Sequence, residues 1–307
     1  MTTSIATNNL TKRYPSQSAE SRSALDNYEL QVEAGQLYGL VGPDGAGKTT
    51  LLRILSTVLN PTSGSAQVAG LDVTKQSEQV RSRIGYMHQA FSLYPDLSVI
   101  ESLRFFADTN EVSREKQNQR INDLLEFARL TEFTSRRSEH LSGGMRKKLA
   151  LACAMIHEPE VLIVDEPTTG VDPVSRRELW QLLAMVIERG VTIIVSTPYM
   201  DEAERCNVVN IIYQGRKMIS GAPVDLEQQM PLKIVEVKAR PRGTLRQVAD
   251  SIDGVIQWRG VGDRLRLSVS NSMADQENVK ASLMKLAAFP FNSITLYDDP
   301  PTKIIGP

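Results

Sequence analysis

The octapeptide Gly42-Pro-Asp-Gly-Ala-Gly-Lys48-Thr49 constrains this chain more than any other feature. It fits G-x-x-x-x-G-K-[ST] and follows the apolar run Leu37–Val41 without a break. A strand that feeds a glycine-rich turn and then a helix leaves several backbone N–H groups pointing at one place, with little side-chain bulk in the way. Such a loop holds phosphate oxygens. The expected cradle is Gly42, Pro43, Asp44, Gly45, Ala46, Gly47, Lys48, Thr49 and Thr50. Lys48 is expected to reach the β- and γ-phosphates of a nucleotide, and the Thr49 hydroxyl to ligate Mg²⁺.

The surrounding pattern agrees with an α/β domain. IGYM (84–87), VLIVD (161–165) and VTIIVS (191–196) read as further strands, and the last two are continuous apolar runs suited to a sheet covered on both faces. A helix is predicted from Lys48, with Leu51, Leu52, Ile54, Leu55, Val58 and Leu59 at helical spacing and Pro61 as its stop. A second helix is predicted with Asp172 as N-cap, Pro173 in its first turn, Gly190 just past its end and Leu179, Leu182, Leu183, Val186 and Ile187 facing the core. Residues 98–132 hold no strand-like run and read as an inserted helical lobe. Residues 211–220 read as a hairpin turning at Gln214-Gly215. Alternation of this kind predicts a largely parallel sheet. After Pro223 the pattern changes to strand, helix, two strands, helix, strand. That βαββαβ order, with helices over 244–252 and 274–289, is the split-βαβ pattern of ferredoxin-like domains, and residues 300–307 read as a frayed Pro-rich end. The expected division is 1–225, with the helical lobe at about 90–155, and 226–307.

Composition removes several functions. Lys and Arg number 35 against 36 Asp and Glu, and this balance argues against a general nucleic-acid binder. Two cysteines, Cys153 and Cys206, exclude a disulfide framework or a cysteine-built zinc site. The first ten residues lack the apolar core of a signal peptide, and no apolar run approaches the ~20 residues of a membrane helix.

A second acidic site follows the phosphate loop. Val161–Asp165 ends in Asp165-Glu166, carboxylates at the strand edge where α/β sheets bind ligands. Asp-Glu after a strand is also an ordinary helix-start signal. Behind a phosphate loop, however, Asp165 is expected to hold Mg²⁺ through water and Glu166 to polarise the attacking water. Some twenty residues earlier, Leu141-Ser142-Gly143-Gly144-Met145 reads as a capped helix start, with Met145, Leu149, Cys153 and Ile156 on one face.

Phosphate loop, LSGGM and VDEP, in this order and spacing, resemble the nucleotide-binding subunits of ABC transporters over about residues 4–225. The resemblance implies an ABC-type P-loop ATPase domain with an inserted helical lobe, followed by the small α+β ferredoxin-like domain. It implies ATP and Mg²⁺ as cofactors. It gives Tyr14, in LTKRYP, as the aromatic that stacks on adenine. Gln89, in YMHQAF, becomes a catalytic residue touching Mg²⁺ and the attacking water, so the metal set is Thr49, Gln89 and Asp165. Ser142, Gly143, Gly144 and Asp172 become the groups that meet a nucleotide or subunit across a head-to-tail dimer, and Asp201-Glu-Ala-Glu204 the start of the next helix.

The segments YMHQAFSLYPDLSV and VDPVSRRELW look most like ATPases of bacterial multidrug-type exporters with separate membrane subunits. The implied partners are integral membrane permease subunits, a second ATPase domain (a copy or a related chain) and, in some such systems, a periplasmic adaptor, with no nucleic acid. The implied place is peripheral, on the cytoplasmic face of the inner membrane. The alternative is a soluble ATPase of the same superfamily acting in translation or DNA repair. One departure stands out. The family usually has Ser-Thr-His after the strand ending at Ser196, and this chain has Ser196-Thr197-Pro198-Tyr199. Pro198 offers neither a side-chain donor nor an N–H, so a slow ATPase is expected.

Overall fold

Three strand ends lying side by side set the architecture. The protein, seen as a computed structural model, is described over residues 2–15, 23–90, 93–229, 232–240, 255–262, 264–270, 281 and 293–298. It divides into two compact units, Met1–Pro223 and Val224–Pro307. The first runs β1 (Thr3–Arg13), β2 (Ser23–Glu33), β3 (Leu37–Val41), α1 (Lys48–Leu55), β4 (Ser63–Val68), β5 (Leu71–Asp72), α2 (Ser77–Arg83) and β6 (Ile84–Met87). It continues α3 (Val99–Thr109), α4 (Arg114–Phe127), α5 (Gly143–Ala154), β7 (Val161–Asp165), α6 (Pro173–Glu188), β8 (Thr192–Thr197), α7 (Met200–Ala203), β9 (Val208–Tyr213) and β10 (Arg216–Gly221).

A six-stranded sheet has the order β10-β9-β3-β8-β7-β6. All neighbours in it are parallel except the β9–β10 hairpin, whose turn uses left-handed Gln214 (φ 49°) and Gly215 (φ 76°). Every residue of β3, β7 and β8 is buried, which is why these strands read as unbroken apolar runs. In register, Val41 faces Thr197 and Asp165 faces Ser196. The carboxyl ends of β3, β8 and β7 therefore bring the phosphate loop, Pro198 and the acid pair to one edge.

A second, antiparallel sheet, β2-β1-β4-β5, has no counterpart in the sequence reading. Its buried residues Ile5, Leu10, Leu25, Tyr28, Leu30 and Val32 are real core. The strands bulge, with left-handed Asn9 and Asn27 and several register shifts, so the alternation that marks a strand is broken. α1 also differs from expectation. It ends at Leu55, because the chain turns through Ser56 and left-handed Thr57 (φ 63°), and Val58 is exposed rather than part of its stripe. α6 has Asp172 as N-cap, Pro173 first and left-handed Gly190 just beyond its C-cap. Leu179, Leu182, Leu183 and Val186 are buried on it. Between β6 and β7 the described chain is helical, and α3 begins with a capping box of Ser98 and Glu101.

In the second unit, after α8 (Pro223–Gln228), the strands β11 (Leu232–Arg240), β12 (Val255–Val261), β13 (Arg264–Ser270) and β14 (Ser293–Asp298) form an antiparallel sheet ordered β12-β13-β11-β14. Val235, Val237, Leu265, Leu267 and Val269 are buried, and alternating with them Glu236 accepts from Arg264 (2.8 Å) and Arg266. The helix expected over 244–252, the end at 300–307 and all of the helix expected over 274–289 except helical Ala281 lie outside the described residues.

Candidate functional site

The phosphate loop is shaped by glycines that nothing else could replace. A Cβ on Gly42 would fall 2.3 Å from the Ile212 carbonyl oxygen, and one on left-handed Gly47 (φ 112°) 2.5 Å from that of Ala24. α1 starts immediately afterwards, with no side-chain cap and no acidic residue in its first turn, so its N-terminal N–H groups and positive dipole end face the loop. Lys48 is buried. Its Nζ donates to the Gly42 (2.7 Å) and Pro43 (3.1 Å) carbonyls and lies 3.3 Å from Glu166 Oε1.

The acid pair meets this loop directly. Asp165 is fully buried, and its Oδ1 accepts from the hydroxyls of Thr49 (3.2 Å) and Ser196 (2.6 Å). Its Oδ2 is buried with no hydrogen-bond partner. Glu166 has left-handed backbone (φ 46°), and its Oε2 accepts from Gln89 Nε2 (2.9 Å) and Thr169 Oγ1 (3.1 Å). A pocket of about 250 Å³ is lined by Ala24, Asp44, Gly45, Gly47, Lys48, Thr49, Thr50, Gln89 and Glu166. A hydroxyl beside a carboxylate with one free buried oxygen suits a hard, oxygen-seeking cation. Among the described residues no cluster of three or more His, Cys, Asp or Glu could hold a metal ion. A cation here would complete its shell with phosphate and water, as Mg²⁺ does.

Sequence reasoning missed Ser196, Thr169 and Lys147. Lys147, on α5, donates from Nζ to the Gln89 carbonyl (2.8 Å). Burial pushes its ammonium pKa down, while the charges of Asp165 and Glu166 pull it back up. Tyr14 is close to the loop, its hydroxyl 3.5 Å from Thr50 Oγ1, and is largely exposed.

Other expected residues sit away from the pocket lining. Ser142 caps α5 by accepting the Met145 N–H (3.2 Å) and is exposed. Asp172 caps α6 by accepting the N–H groups of Val174 and Ser175, both at 3.0 Å. Hydrogen bonds from Ser175 hold its carboxyl below the usual range. Gly144 packs so tightly on α6 that a Cβ would lie 2.2 Å from Ser175 Oγ.

At the end of β8 the Thr197 carbonyl accepts the Gly42 N–H (3.4 Å), and its hydroxyl donates to Glu202 (2.5 Å). Arg176 donates to Glu202 (2.6 Å) and Asp201 (3.0 Å), with its guanidinium 4.5 Å from the Tyr199 ring centroid. The three histidines are engaged elsewhere: His88 with Arg53, His157 with the Ile84 carbonyl and His140 beside Glu139.

Residues 25–169 match the family model described as ABC transporter. The chain is 42% identical over 263 residues to the probable multidrug ABC transporter ATP-binding protein YbhF of Escherichia coli (strain K12), across 84% of this chain and 45% of that protein. The chain thus spans about half the length of that relative. It is 40% identical over 238 residues to the Nod factor export ATP-binding protein I of Cupriavidus metallidurans (strain ATCC 43123 / DSM 2839 / NBRC 102507 / CH34), across 77% of this chain and 78% of that one. Among solved structures, the ATP-binding cassette MJ0796, a dimer in a post-hydrolysis state bound to ADP and Pi, is similar with a TM-score of 0.65 and 26% identity. That match takes in 71% of this chain and 98% of the other. An ATP binding subunit of an ABC transporter is similar with a TM-score of 0.66 and 28% identity, across 74% of this chain and 92% of the other.

Proposed function

The chain belongs to the ABC transporter family of ATP-binding proteins, and on that premise we propose that it binds and hydrolyses ATP to energise an exporter whose membrane-spanning subunits are separate chains. One observation carries the reading: Lys48, Thr49, Glu166 and Gln89 line one pocket, and Asp165 is hydrogen-bonded to Thr49.

The residues divide the work by their chemistry. The loop N–H groups and the start of α1 hold the phosphates, and Lys48 offsets their charge. Thr49, Asp165 through its free Oδ2, and Gln89 would hold Mg²⁺, which when bound supplies charge neutralisation at the phosphates. An incoming phosphate draws Lys48 away from Glu166. The Oε1 so released accepts a proton from the attacking water, while Oε2 stays fixed by Gln89 and Thr169. Tyr14, beside Thr50, stacks on the base. Ser142, Gly143, Gly144 and Asp172 lie outside this pocket, and α5 has no acidic residue in its first turn. They complete the site of a second cassette, from a copy or a related chain, where the α5 N-terminus meets the γ-phosphate.

Among the described residues no helix is long and apolar enough to cross a membrane. In this reading permease subunits, as in exporter relatives, hold the chain at the cytoplasmic face, and a periplasmic adaptor would reach it only through them. The lobe offers the docking surface: exposed Tyr94 stacks edge-on against half-exposed Phe105 at 5.0 Å, while neighbouring Leu93 is buried. Phe91, two residues before Leu93, lies outside the described residues. Residues 226–307 form an accessory ferredoxin-like domain, a reading supported by the antiparallel strand order β12-β13-β11-β14. The charge balance gives no support to the translation or DNA-repair alternative.

The test is isolation of the native complex with its ATPase activity measured. Co-isolated membrane subunits and Mg²⁺-dependent ATP hydrolysis are expected. Ribosomes or DNA in their place would overturn the reading.

A further inference from the structure

Glu166, unlike a glycine, has a Cβ that resists left-handed backbone, yet its φ is 46°. What holds it there is Ser196. The Glu166 N–H is shared between the Ser196 carbonyl (3.2 Å) and the Ser196 hydroxyl (3.0 Å). A serine hydroxyl has one proton to give. Ser196 gives it to Asp165 Oδ1 at 2.6 Å, which leaves the hydroxyl oxygen to accept from Glu166. The direction of the chain is fixed: Glu166 N–H to Ser196, Ser196 O–H to Asp165. Thr49 donates to the same Oδ1, so both hydroxyls occupy one carboxylate oxygen and Oδ2 alone is left without a partner. Ser196 is fully buried, paired in register with Asp165 across β7 and β8, and does not itself line the pocket.

We propose that Ser196 is a positioning residue of the hydrolytic centre. It holds the Glu166 backbone so that the carboxylate meets Gln89 and Lys48, and it selects Asp165 Oδ2 as the oxygen presented to the cation. The inference rests on the ATPase reading above. Ser196 acts through two acids on one side of the site, whereas the phosphates are held by the loop on the other. Its loss therefore falls on turnover and on the Mg²⁺ requirement rather than on ATP affinity.

The test uses the full chain, with steady-state ATPase activity measured against ATP and against Mg²⁺, and nucleotide affinity measured separately. Ser196→Ala should lower kcat about tenfold to a hundredfold, the scale of a small misplacement of a catalytic group. KM for ATP should stay within about twofold while half-maximal activity needs more Mg²⁺. Ser196→Thr, which keeps the hydroxyl and suits a strand, should recover most of kcat. In a Glu166→Gln background Ser196→Ala should cost less kcat than in the parent, because one of its two routes is already lost. Parent-like kcat and Mg²⁺ dependence in Ser196→Ala would overturn the inference, as would a fully additive loss in the double variant. A wild-type chain that bound but never hydrolysed ATP would instead overturn the ATPase reading.

Discussion

Lys48 Nζ and Glu166 Oε1 lie 3.3 Å apart, and both side chains are almost wholly buried. The loop cation and the acid are partners, so a phosphate that takes the ammonium competes with a carboxylate for it.

Lys48→Ala should weaken ATP binding about tenfold or more, since a charge-assisted contact to phosphate is worth roughly 1.5–3 kcal/mol. It also leaves Glu166 buried without its cation, and a nucleotide titration accompanied by a melting curve separates the two effects. Unchanged affinity would refute the loop assignment.

Glu166→Gln keeps the shape and the contact with Gln89 but loses the proton acceptor. Turnover should fall ~10²–10⁴-fold, the usual weight of a general base. Because the competing charge is gone, ATP affinity should rise, and an ATP-bound dimer should accumulate on gel filtration. Hydrolysis at the parent rate would exclude Glu166 as the base.

Tyr94→Glu puts a charge on the exposed Tyr94–Phe105 aromatic pair, away from the loop. Basal ATPase activity of the isolated chain should be unaffected, and membrane subunits should no longer co-purify. A complex that survives the substitution would move the docking surface elsewhere.

Pro198→His places a donor beside the loop. One preorganised donor to a developing oxyanion is worth ~10²–10³ in rate at most. Turnover should rise, with Glu166→Gln as the inactive control. A brisk wild-type rate that the substitution leaves alone would mean that the missing contact is already supplied.

Strong acidification should destabilise the second unit through Glu236. Hydrogen bonds from Arg266 and then Arg264 hold its carboxyl below the usual carboxylate range. The stabilisation is complete above the unfolded pKa and is lost as pH falls through the lower folded value. Melting temperature followed from neutral to acidic pH should drop below the ordinary carboxylate range, and Glu236→Gln should flatten that drop.

Much of this site was legible because its chemistry is contiguous in the chain. The loop, Asp165-Glu166 and the Asp172-Pro173 cap each occupy a few consecutive residues whose backbone demands are local. What stayed hidden depends on register. Ser196 is an ordinary strand serine until β8 pairs with β7, and Lys147 is one of two successive lysines until α5 packs beside Gln89. The antiparallel sheet was invisible for another reason, since bulges at Asn9 and Asn27 scramble its alternation. Val58 and Leu59 continue the spacing of α1 on paper, but left-handed Thr57 has already turned the chain away.

Gly144 presses on Ser175 with no room for a methyl group, so the turns bearing Ser142 and Asp172, thirty residues apart in the chain, form a single stiff corner. The entropy of arranging those two turns is spent when the protein folds. A lone methyl at Gly144 would push α5 off α6 and part the two turns.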